Sequence, residues 1–228
     1  FSTYAADYAA ISNAYVYNPA GNSWAAPSNP IQGNGVNVLT TGYNCTGMIS
    51  PAYGFLLDMV NYYPGRKIAI ILSAYGGKEI AYFMRGNSSG AYNATIAAAN
   101  AAVAMSGGTI RGVLWHQGES DSDAGKLTLY EDKFKTFVSS MREDLGLPSL
   151  PFLAGEITQD SRYGTYSRGL AFNAEISRIA AGMQNVYVVS SGGLTLQDTS
   201  WHFDGPSMVT FGQRYAAKMR DILSGTAD

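Results

Sequence analysis

The chain is poor in cysteine, and this shortage excludes several kinds of site. Cys45 is the single cysteine among 228 residues, so no disulfide can form within the chain. We predict that Cys45 packs as a small apolar residue, because only two histidines are present to activate a thiol nucleophile. Without a cysteine pair, a structural zinc site is not expected.

Charge and long apolar runs are also scarce. Charged residues make up 14% of the chain and the formal net charge is −2, whereas nucleic-acid binding needs a basic surface. No run of about 18 apolar residues is present to form a membrane span. We therefore predict neither a nucleic-acid nor a membrane partner. Low charge with many Gly, Tyr, Ser and Asn residues indicates a secreted or extracellular protein, including a virion-associated one.

Phosphate-binding loops are missing from the sequence as well. Neither a Walker sequence nor a Gly-x-Gly-x-x-Gly pattern occurs, and we predict no cofactor. What the chain does have is apolar residues, at 46%, which is enough for a large core. A chain of this length is most simply explained as one domain, so we predict a single domain over residues 1–228.

Strand and helix patterns alternate along the chain from residue 51. In residues 1–50, Gly, Asn, Pro and Ser are frequent, and this composition predicts loops around one strand at 14–17. Apolar spacing predicts helices at 51–62, 92–105, 127–145, 167–183 and 206–223, and strands at 67–72, 110–115, 151–157 and 186–190. Fully apolar strands separated by helices predict an α/β fold with a parallel sheet covered on both faces.

The most informative stretch is residues 115–121, with the sequence W-H-Q-G-E-S-D. It places an imidazole, a carboxamide and two carboxylates directly after a predicted core strand. Buried polar groups cost free energy unless each finds a partner. Such groups at the carboxyl ends of strands commonly line a ligand crevice. A turn that merely caps the strand is the other interpretation.

A second polar cluster surrounds His202, in a loop between the last strand and the last helix. A histidine near carboxylates suits a general base, because an acid fixes the imidazole tautomer and stabilises the imidazolium. We predict that Asp198 orients His202 and that Asp204 caps the helix. The alternative is a surface histidine beside helix-start residues, with Asp204 or Ser207 as the N-cap.

A third feature is the pair Gly76 and Gly77, which follows the strand ending near Ser73. Backbone N–H groups at a glycine turn can donate to a developing oxyanion, although such pairs are also common in ordinary turns. His116, His202 and Glu119 could together bind a metal ion. We predict no metal, because neither histidine has the spacing of a metal-binding motif.

These motifs together resemble the SGNH-hydrolase superfamily, and within it the sialate O-acetylesterase-like and acetylxylan-esterase-like carbohydrate esterases. The resemblance rests first on W-H-Q-G-E-S-D at 115–121, which is highly specific. Weaker matches, from about residue 51 to about residue 220, lie at 51–55, 73–77, 151–155, 202–204 and 211–216. The resemblance implies a flavodoxin-like three-layer α/β/α fold and hydrolysis of acyl esters, most often removal of O-acetyl groups from sugars.

The resemblance also implies roles for individual residues. His202 would be the general base and Asp198 its partner. Oxyanion donors would come from Gly76 or Gly77 and from Gln117. Glu119 would order the Gln117 loop and His116 would form a wall of the site, with a glycan or polysaccharide as substrate.

Two departures from the family pattern bear on the mechanism. The family nucleophile lies in a G-Q-S-N-M block on the first strand, and this sequence has no such block. We expect the chain to begin just after the nucleophile, so that the first strand is missing too. Ser73 and Ser2 are the alternative nucleophiles, and Ser73 is the better placed. The family motif D-x-x-H has two residues between the aspartate and the histidine, whereas three residues separate Asp198 from His202 here. This difference weakens the assignment of Asp198 as the partner of His202.

Two other functions remain open from the sequence. The same fold without its nucleophile could bind glycan without cleaving it, as part of a cell-surface or phage tail protein. A metal-dependent deacetylase is the third possibility, and it would lose activity with a chelator. The sequence alone does not identify the sugar or the oligomeric state.

Overall fold

The structure is a computed structural model that describes residues 11–27, 50–197 and 200–226. Its strands are β1 Ala14–Asn18, β2 Ser23–Ala25, β3 Ile68–Ile70, β4 Val113–Trp115, β5 Phe152–Gly155 and β6 Val186–Val189. Its α-helices are α1 Pro51–Tyr62, α2 Ala91–Ser106, α3 Ala124–Leu127, α4 Tyr130–Asp144, α5 Tyr166–Ala181 and α6 Gly205–Ser224. Short 3₁₀ turns lie at Ile80–Phe83 and Glu119–Asp121. None of the described helices is long and apolar enough to cross a bilayer.

The strands form two three-stranded sheets. In the first, β1 lies between β2, to which it is antiparallel, and β3, to which it is parallel. The second sheet is fully parallel, in the order β4-β5-β6. In the described part of the chain no strand pairs with the outer edge of β3 or with the outer edge of β4. Within the described residues, β3 and β4 each have a paired strand on one side only.

Helices cover both faces of the strands, and the side chains of successive residues in β5 pack alternately against the two layers of helices. Leu153 packs with residues of α1 and α6, whereas Phe152 and Ala154 pack with residues of α4 and α5. Successive strand residues point to opposite faces, so one strand contributes to both cores. The α/β class, the parallel sheet and the three-layer arrangement predicted from the sequence are confirmed.

Some predicted elements differ in detail. The helix predicted at 127–145 corresponds to α4, Tyr130–Asp144; a separate short helix, α3, precedes it and ends at Leu127, and a turn at Thr128 and Leu129 separates the two. The sequence pattern gave one strand near the amino end, but β1 and β2 form a hairpin whose turn holds Asn22 in the left-handed region at φ 41°. The four strands predicted after residue 51 are longer than the paired segments, whereas β1 extends one residue beyond its predicted range. The organisation of residues 1–228 as a single domain stays a prediction.

Helices α1 and α6 touch backbone to backbone, and glycine makes this contact possible. A Cβ atom at Gly54 would lie 2.0 Å from the carbonyl oxygen of Val209. A Cβ atom at Gly212 would lie 2.0 Å from the carbonyl oxygen of Pro51. Both neighbours are backbone atoms, so a side chain at either position forces the helices apart.

This contact predicts that Gly212→Ala destabilises the fold. Overpacking costs about 1–3 kcal/mol, and here it outweighs the roughly 1 kcal/mol by which alanine favours a helix over glycine. Urea unfolding measures the difference. The matched control is Gly125→Ala in α3, where no atom lies within 4 Å of the added Cβ. If both variants unfold at the wild-type urea concentration, α1 and α6 do not pack as described.

Candidate active site

The polar loops singled out in the sequence converge on one cavity of about 1460 Å³. The cavity runs along β3 and β4 and into the loops that follow them. Six of the seven predicted site residues line it, together with Ser73: Gly76, Gly77, His116, Gln117, Glu119 and His202. The seventh, Asp198, lies outside the described residues. Chain segments about 40 to 125 residues apart are thus brought to a common surface.

The Gln117 side chain is buried, and both its nitrogen and its oxygen form hydrogen bonds. Its side-chain nitrogen Nε2 donates to the backbone oxygen of Lys78, at 3.1 Å, and to Oδ2 of Asp121. Its oxygen Oε1 accepts a hydrogen bond from the Tyr130 hydroxyl at 3.2 Å. Both amide hydrogens are therefore in use, and they tie the loop after β4 to the segment after the glycine turn.

Asp121 completes this connection between the two loops. The carboxyl group is inaccessible to solvent, and its Oδ2 accepts from the Ile80 backbone N–H at 2.8 Å as well as from Gln117. Oδ1 has no hydrogen-bond partner. Burial raises the pKa of the Asp121 carboxyl, and the two hydrogen bonds oppose that rise.

Tyr130 fixes the orientation of the Gln117 amide. Burial raises the pKa of the Tyr130 phenol, so the hydroxyl keeps its proton and can donate to Gln117. The same hydroxyl accepts from Trp115 Nε1 at 3.3 Å. Trp115 in turn offers its backbone oxygen to the Tyr215 hydroxyl at 2.7 Å. Helices α4 and α6 thereby hold the end of β4 from opposite faces.

This network was only partly visible in the sequence. The motif at 115–121 predicted a role for Gln117, whereas Asp121 was given no role of its own and Tyr130 was interpreted as one apolar position on an amphipathic helix. The oxyanion roles of Gly76, Gly77 and Gln117 stay predictions. Gly77 has a left-handed φ of 67°, with open space where a Cβ would stand, so this turn suits glycine.

His116 forms part of the cavity wall. Its Nε2 lies 3.6 Å from Oε1 of Glu119, and its ring meets the Phe211 ring edge to face at 5.3 Å between centroids. Its Nδ1 is buried without a hydrogen-bond partner. The role in the wall of an active site that the resemblance implies for His116 stays a prediction. Among the described residues, no group of three or more His, Cys, Asp or Glu side chains is arranged to hold a metal ion.

His202 stands on a short loop that is anchored at both ends. The Gln197 N–H donates to the His202 backbone oxygen at 3.0 Å, and Phe203 beside it is buried in the core. Asp204 caps α6, since its Oδ1 accepts from the Ser207 N–H at 2.9 Å. The prediction that Asp204 is a helix cap is confirmed. The His202 side chain itself is exposed to the cavity.

Helix α5 holds the His202 loop against the loop after β4. The guanidinium of Arg168 lies over the Trp201 ring, 5.2 Å from its centroid, and donates to Ser122 Oγ at 3.2 Å. Thr165 donates to the Ser200 backbone oxygen at 2.7 Å. Arg168 and Thr165 were not predicted from the sequence, because neither lies near a recognised motif.

Ser73 lines the cavity, but its hydroxyl is directed toward helix α2. Its Oγ lies 2.7 Å from Oγ1 of Thr95, and Thr95 already donates its hydrogen to the Ala91 backbone oxygen. Ser73 must therefore be the donor to Thr95. A nucleophilic serine needs its hydroxyl hydrogen aimed at a base, so this arrangement does not favour Ser73.

Comparisons with known proteins place this site in a family. Residues 4–221 match the profile of the carbohydrate esterase, sialic acid-specific acetylesterase family. The chain belongs to this family. The match covers most of the sequence, including every predicted site residue, and it confirms the resemblance inferred from the motifs.

Similar proteins agree with membership of this carbohydrate esterase family. A probable carbohydrate esterase of Arabidopsis thaliana is 32% identical over 107 residues, which are 46% of this chain and 38% of that protein. A solved Arabidopsis thaliana structure superposes with a TM-score of 0.76 at 24% identity, over 93% of this chain and 82% of that one.

Two further solved structures share the fold of this esterase family member. A carbohydrate acetylesterase from Xanthomonas citri has a TM-score of 0.62 at 18% identity, over 93% of this chain and 49% of its own. NanS has a TM-score of 0.62 at 15% identity, over 81% of this chain and 75% of its own. At these identities the likeness shows the fold alone.

The buried carboxyl predicts a contrast between two substitutions at Asp121. Asp121→Ala leaves the Ile80 N–H and a Gln117 amide hydrogen without a partner, at a cost of roughly 1–3 kcal/mol for each. Asp121→Asn keeps an oxygen for both donors, so we expect a loss of less than about 1.5 kcal/mol at neutral pH. Urea unfolding of the two variants measures the contrast, and equal losses would contradict this role.

The two forms of residue 121, Asp and Asn, should also differ in how the free energy of unfolding depends on pH. Folding raises the pKa of Asp121, so above about pH 3.9, where an ordinary aspartate ionises, the folded state binds a proton that the unfolded state has lost. This residue therefore makes the free energy of unfolding fall as pH rises through the folded pKa. Asp121→Asn should remove that contribution.

Proposed function

We propose that this domain removes O-acetyl groups from a carbohydrate by a serine double displacement in which His202 is the general base. The observation that carries the proposal is the cavity shared by His202, the glycine turn and the loop at 115–121. Family membership supports ester hydrolysis, and the polar loops supply a base, an aromatic surface and candidate backbone donors.

The proposed reaction has two halves. A serine hydroxyl oxygen attacks the acetyl carbonyl carbon while His202 takes its proton, and the oxyanion is stabilised by N–H groups of the turn at Gly76 and Gly77. The sugar hydroxyl leaves with the proton held by His202. Water, deprotonated by His202, then attacks the acetyl-serine, which releases acetate and restores the serine.

Gln117 and Asp121 enter this mechanism as positioning residues. The amide of Gln117 holds the Lys78 backbone, and Asp121 holds the Ile80 backbone, so the segment after the glycine turn is fixed relative to β4. Preorganised donors stabilise an oxyanion most effectively because they need not move during the reaction. We propose that Gln117 acts mainly through this arrangement.

The nucleophile is proposed to be a serine in a Gly-x-Ser-Asn-type block, which the 228-residue sequence does not contain. Ser73 is engaged with Thr95. Asp198 is proposed to orient His202, which is consistent with Asp204 being engaged as the cap of α6.

The substrate proposed is an acetylated glycan or polysaccharide outside the cell. Aromatic side chains near the base support a sugar ligand, since Trp201, held beneath Arg168, lines the cavity with Tyr75. Sugar rings pack well on such faces. A catalytically silent glycan-binding domain has no specific observation in its favour.

The base assignment predicts that His202→Ala lowers kcat/KM for 4-nitrophenyl acetate by about 10³-fold or more in the natural full-length protein. Removing the base disables both halves of the reaction. The control variant His116→Gln, which changes a residue of the cavity wall, should retain much more of the wild-type kcat/KM. EDTA should leave the wild-type rate unchanged, because no step uses a metal ion. A wild-type protein that does not hydrolyse the ester contradicts the proposal, and loss of activity in EDTA favours a metal-dependent deacetylase.

Two aspartates on the His202 loop provide a matched pair. Asp198→Asn should lower kcat by about 10²–10⁴-fold with little change in stability, because it removes the partner that orients the base. Asp204→Ala should cost about 1 kcal/mol of stability through the lost helix cap and leave kcat nearly unchanged. Enzyme kinetics and urea unfolding of both variants separate the roles, and the reverse pattern would assign the acid to Asp204.

A further inference from the structure

The carboxyl group of Glu156 lies one residue beyond strand β5 and accepts several hydrogen bonds at once. Its Oε2 accepts from the backbone N–H of Ser191 and from the hydroxyl of Ser190, each at 2.9 Å. The same oxygen accepts from the side-chain nitrogen of Gln159. Hydrogen bonds to a carboxylate are among the strongest in proteins. Glu156 therefore fixes the first two residues that follow β6.

The backbone around Glu156 reinforces this connection between the ends of β5 and β6. The Glu156 N–H donates to the Val189 backbone oxygen at 3.0 Å, which extends the pairing of the two strands. The Ser191 hydroxyl, in a buried residue, donates to the backbone oxygen of Ile157 at 2.7 Å. The segment after β6 is thus attached to the segment after β5 through both main chain and side chains.

Arg214 holds the same segment from helix α6. Its Nη1 donates to the backbone oxygens of Ser190 and Gly192, each at 2.8 Å. Glu156 binds hydrogen-bond donors of this segment, whereas Arg214 binds its acceptors. Three consecutive residues are therefore fixed between the sheet and α6, at the point where the chain leaves β6.

The fixed segment leads directly into the His202 loop. The Leu194 N–H donates to the Ser191 backbone oxygen at 3.0 Å, and the Leu194 side chain is buried. Leu196 then pairs with Phe203 in an antiparallel bridge, and both side chains are buried. Because this short stretch is held at both ends, a displacement at Ser191 is passed on to Phe203 and to His202, which precedes it.

We infer that Glu156 is a positioning residue for His202. Its carboxyl group sets where the chain leaves β6, and the segment that follows sets where the imidazole lies in the cavity. Glu156 is not among the residues that line the cavity, so it acts through the loop. A displacement of about 1 Å in a reacting group can lower a rate about 10²-fold. The part played by His202 as the base rests on the proposed function, whereas the connection from Glu156 to its loop does not.

Hydrogen bonds at the opposite end of the same two strands provide a matched control. The guanidinium of Arg142 donates to the backbone oxygens of Leu150, which precedes β5, and of Gln184 and Asn185, which precede β6. Arg142 and Glu156 thus each connect the two strands through three hydrogen bonds. Only Glu156 does so at the end that leads to the base.

The kinetics of variants of the natural full-length protein test the inference. Glu156→Ala should lower kcat for 4-nitrophenyl acetate by about 10²-fold with little change in KM, because His202 acts in both halves of the reaction. Glu156→Gln keeps an oxygen at the position of Oε2 and should retain most of the wild-type kcat. Glu156→Asp keeps the charge but is one methylene shorter, so it should lower kcat, and it replaces Glu156→Ala if that variant does not fold.

Arg142→Ala separates positioning from general stability. It should lower the urea concentration at the midpoint of unfolding and leave kcat unchanged, when each variant is assayed where it is fully folded. A wild-type kcat in both Glu156→Ala and Glu156→Asp would overturn the inference. So would an equal loss in Glu156→Gln, which would assign the effect to the charge, or an equal loss in Arg142→Ala, which would assign it to stability.

Amide hydrogen exchange separates this inference from the proposed function. The N–H groups of Gln197 and Asp204 donate across the His202 loop, to His202 and Thr195, each at 3.0 Å. In Glu156→Ala these two amides should exchange at least about 10-fold faster than in the wild type, and in Glu156→Gln they should not. The amide of Phe152, at the other end of β5, should stay slow in both variants.

The two measurements have distinct outcomes. Faster exchange at Gln197 and Asp204 in a protein that does not hydrolyse the ester upholds the connection from Glu156 to the loop and contradicts the proposed function. Unchanged exchange at both amides in Glu156→Ala overturns the inference, whatever the kinetics show.

Discussion

The buried carboxyl of Asp121 is the contact on which the arrangement of the site depends. Strands β3 and β4 share no backbone hydrogen bond, so the loops that follow them need another connection. Asp121 supplies it by accepting from the backbone of Ile80 on one side and from the side chain of Gln117 on the other. A hydrogen bond in a site without water is electrostatically stronger than one at the surface, and this connection is fully buried.

The surroundings of Asp121 are built to keep those hydrogen bonds in place. Tyr130 holds the oxygen of the Gln117 amide, so the nitrogen must face Lys78 and Asp121. Tyr215 holds the backbone at the end of β4 from the opposite face of the sheet. Helices from both layers contribute hydrogen bonds to this buried network, in which Oδ1 of Asp121 is the carboxyl oxygen without a partner.

The sequence predicted the layers and the loops better than it predicted the connections between them. Apolar runs with helical or strand spacing depend on local chemistry, so the alternation from residue 51 onward was confirmed. The motif at 115–121 likewise carried its own signal. Arg168 and Tyr130 were missed because their partners, Trp201 and Gln117, are distant in sequence or lie on another element.

The candidate site is assembled from three loops that belong to different parts of the fold. The glycine turn follows β3, His116 and Gln117 follow β4, and His202 lies on the loop after β6. Asp121 and Gln117 fix the first two loops relative to each other through the backbones of Ile80 and Lys78. The third loop is held separately, by Arg168 over the ring of Trp201 and by Thr165 on the backbone of Ser200. The position of His202 relative to the glycine turn therefore depends on helix α5 as much as on the carboxyl group of Asp121.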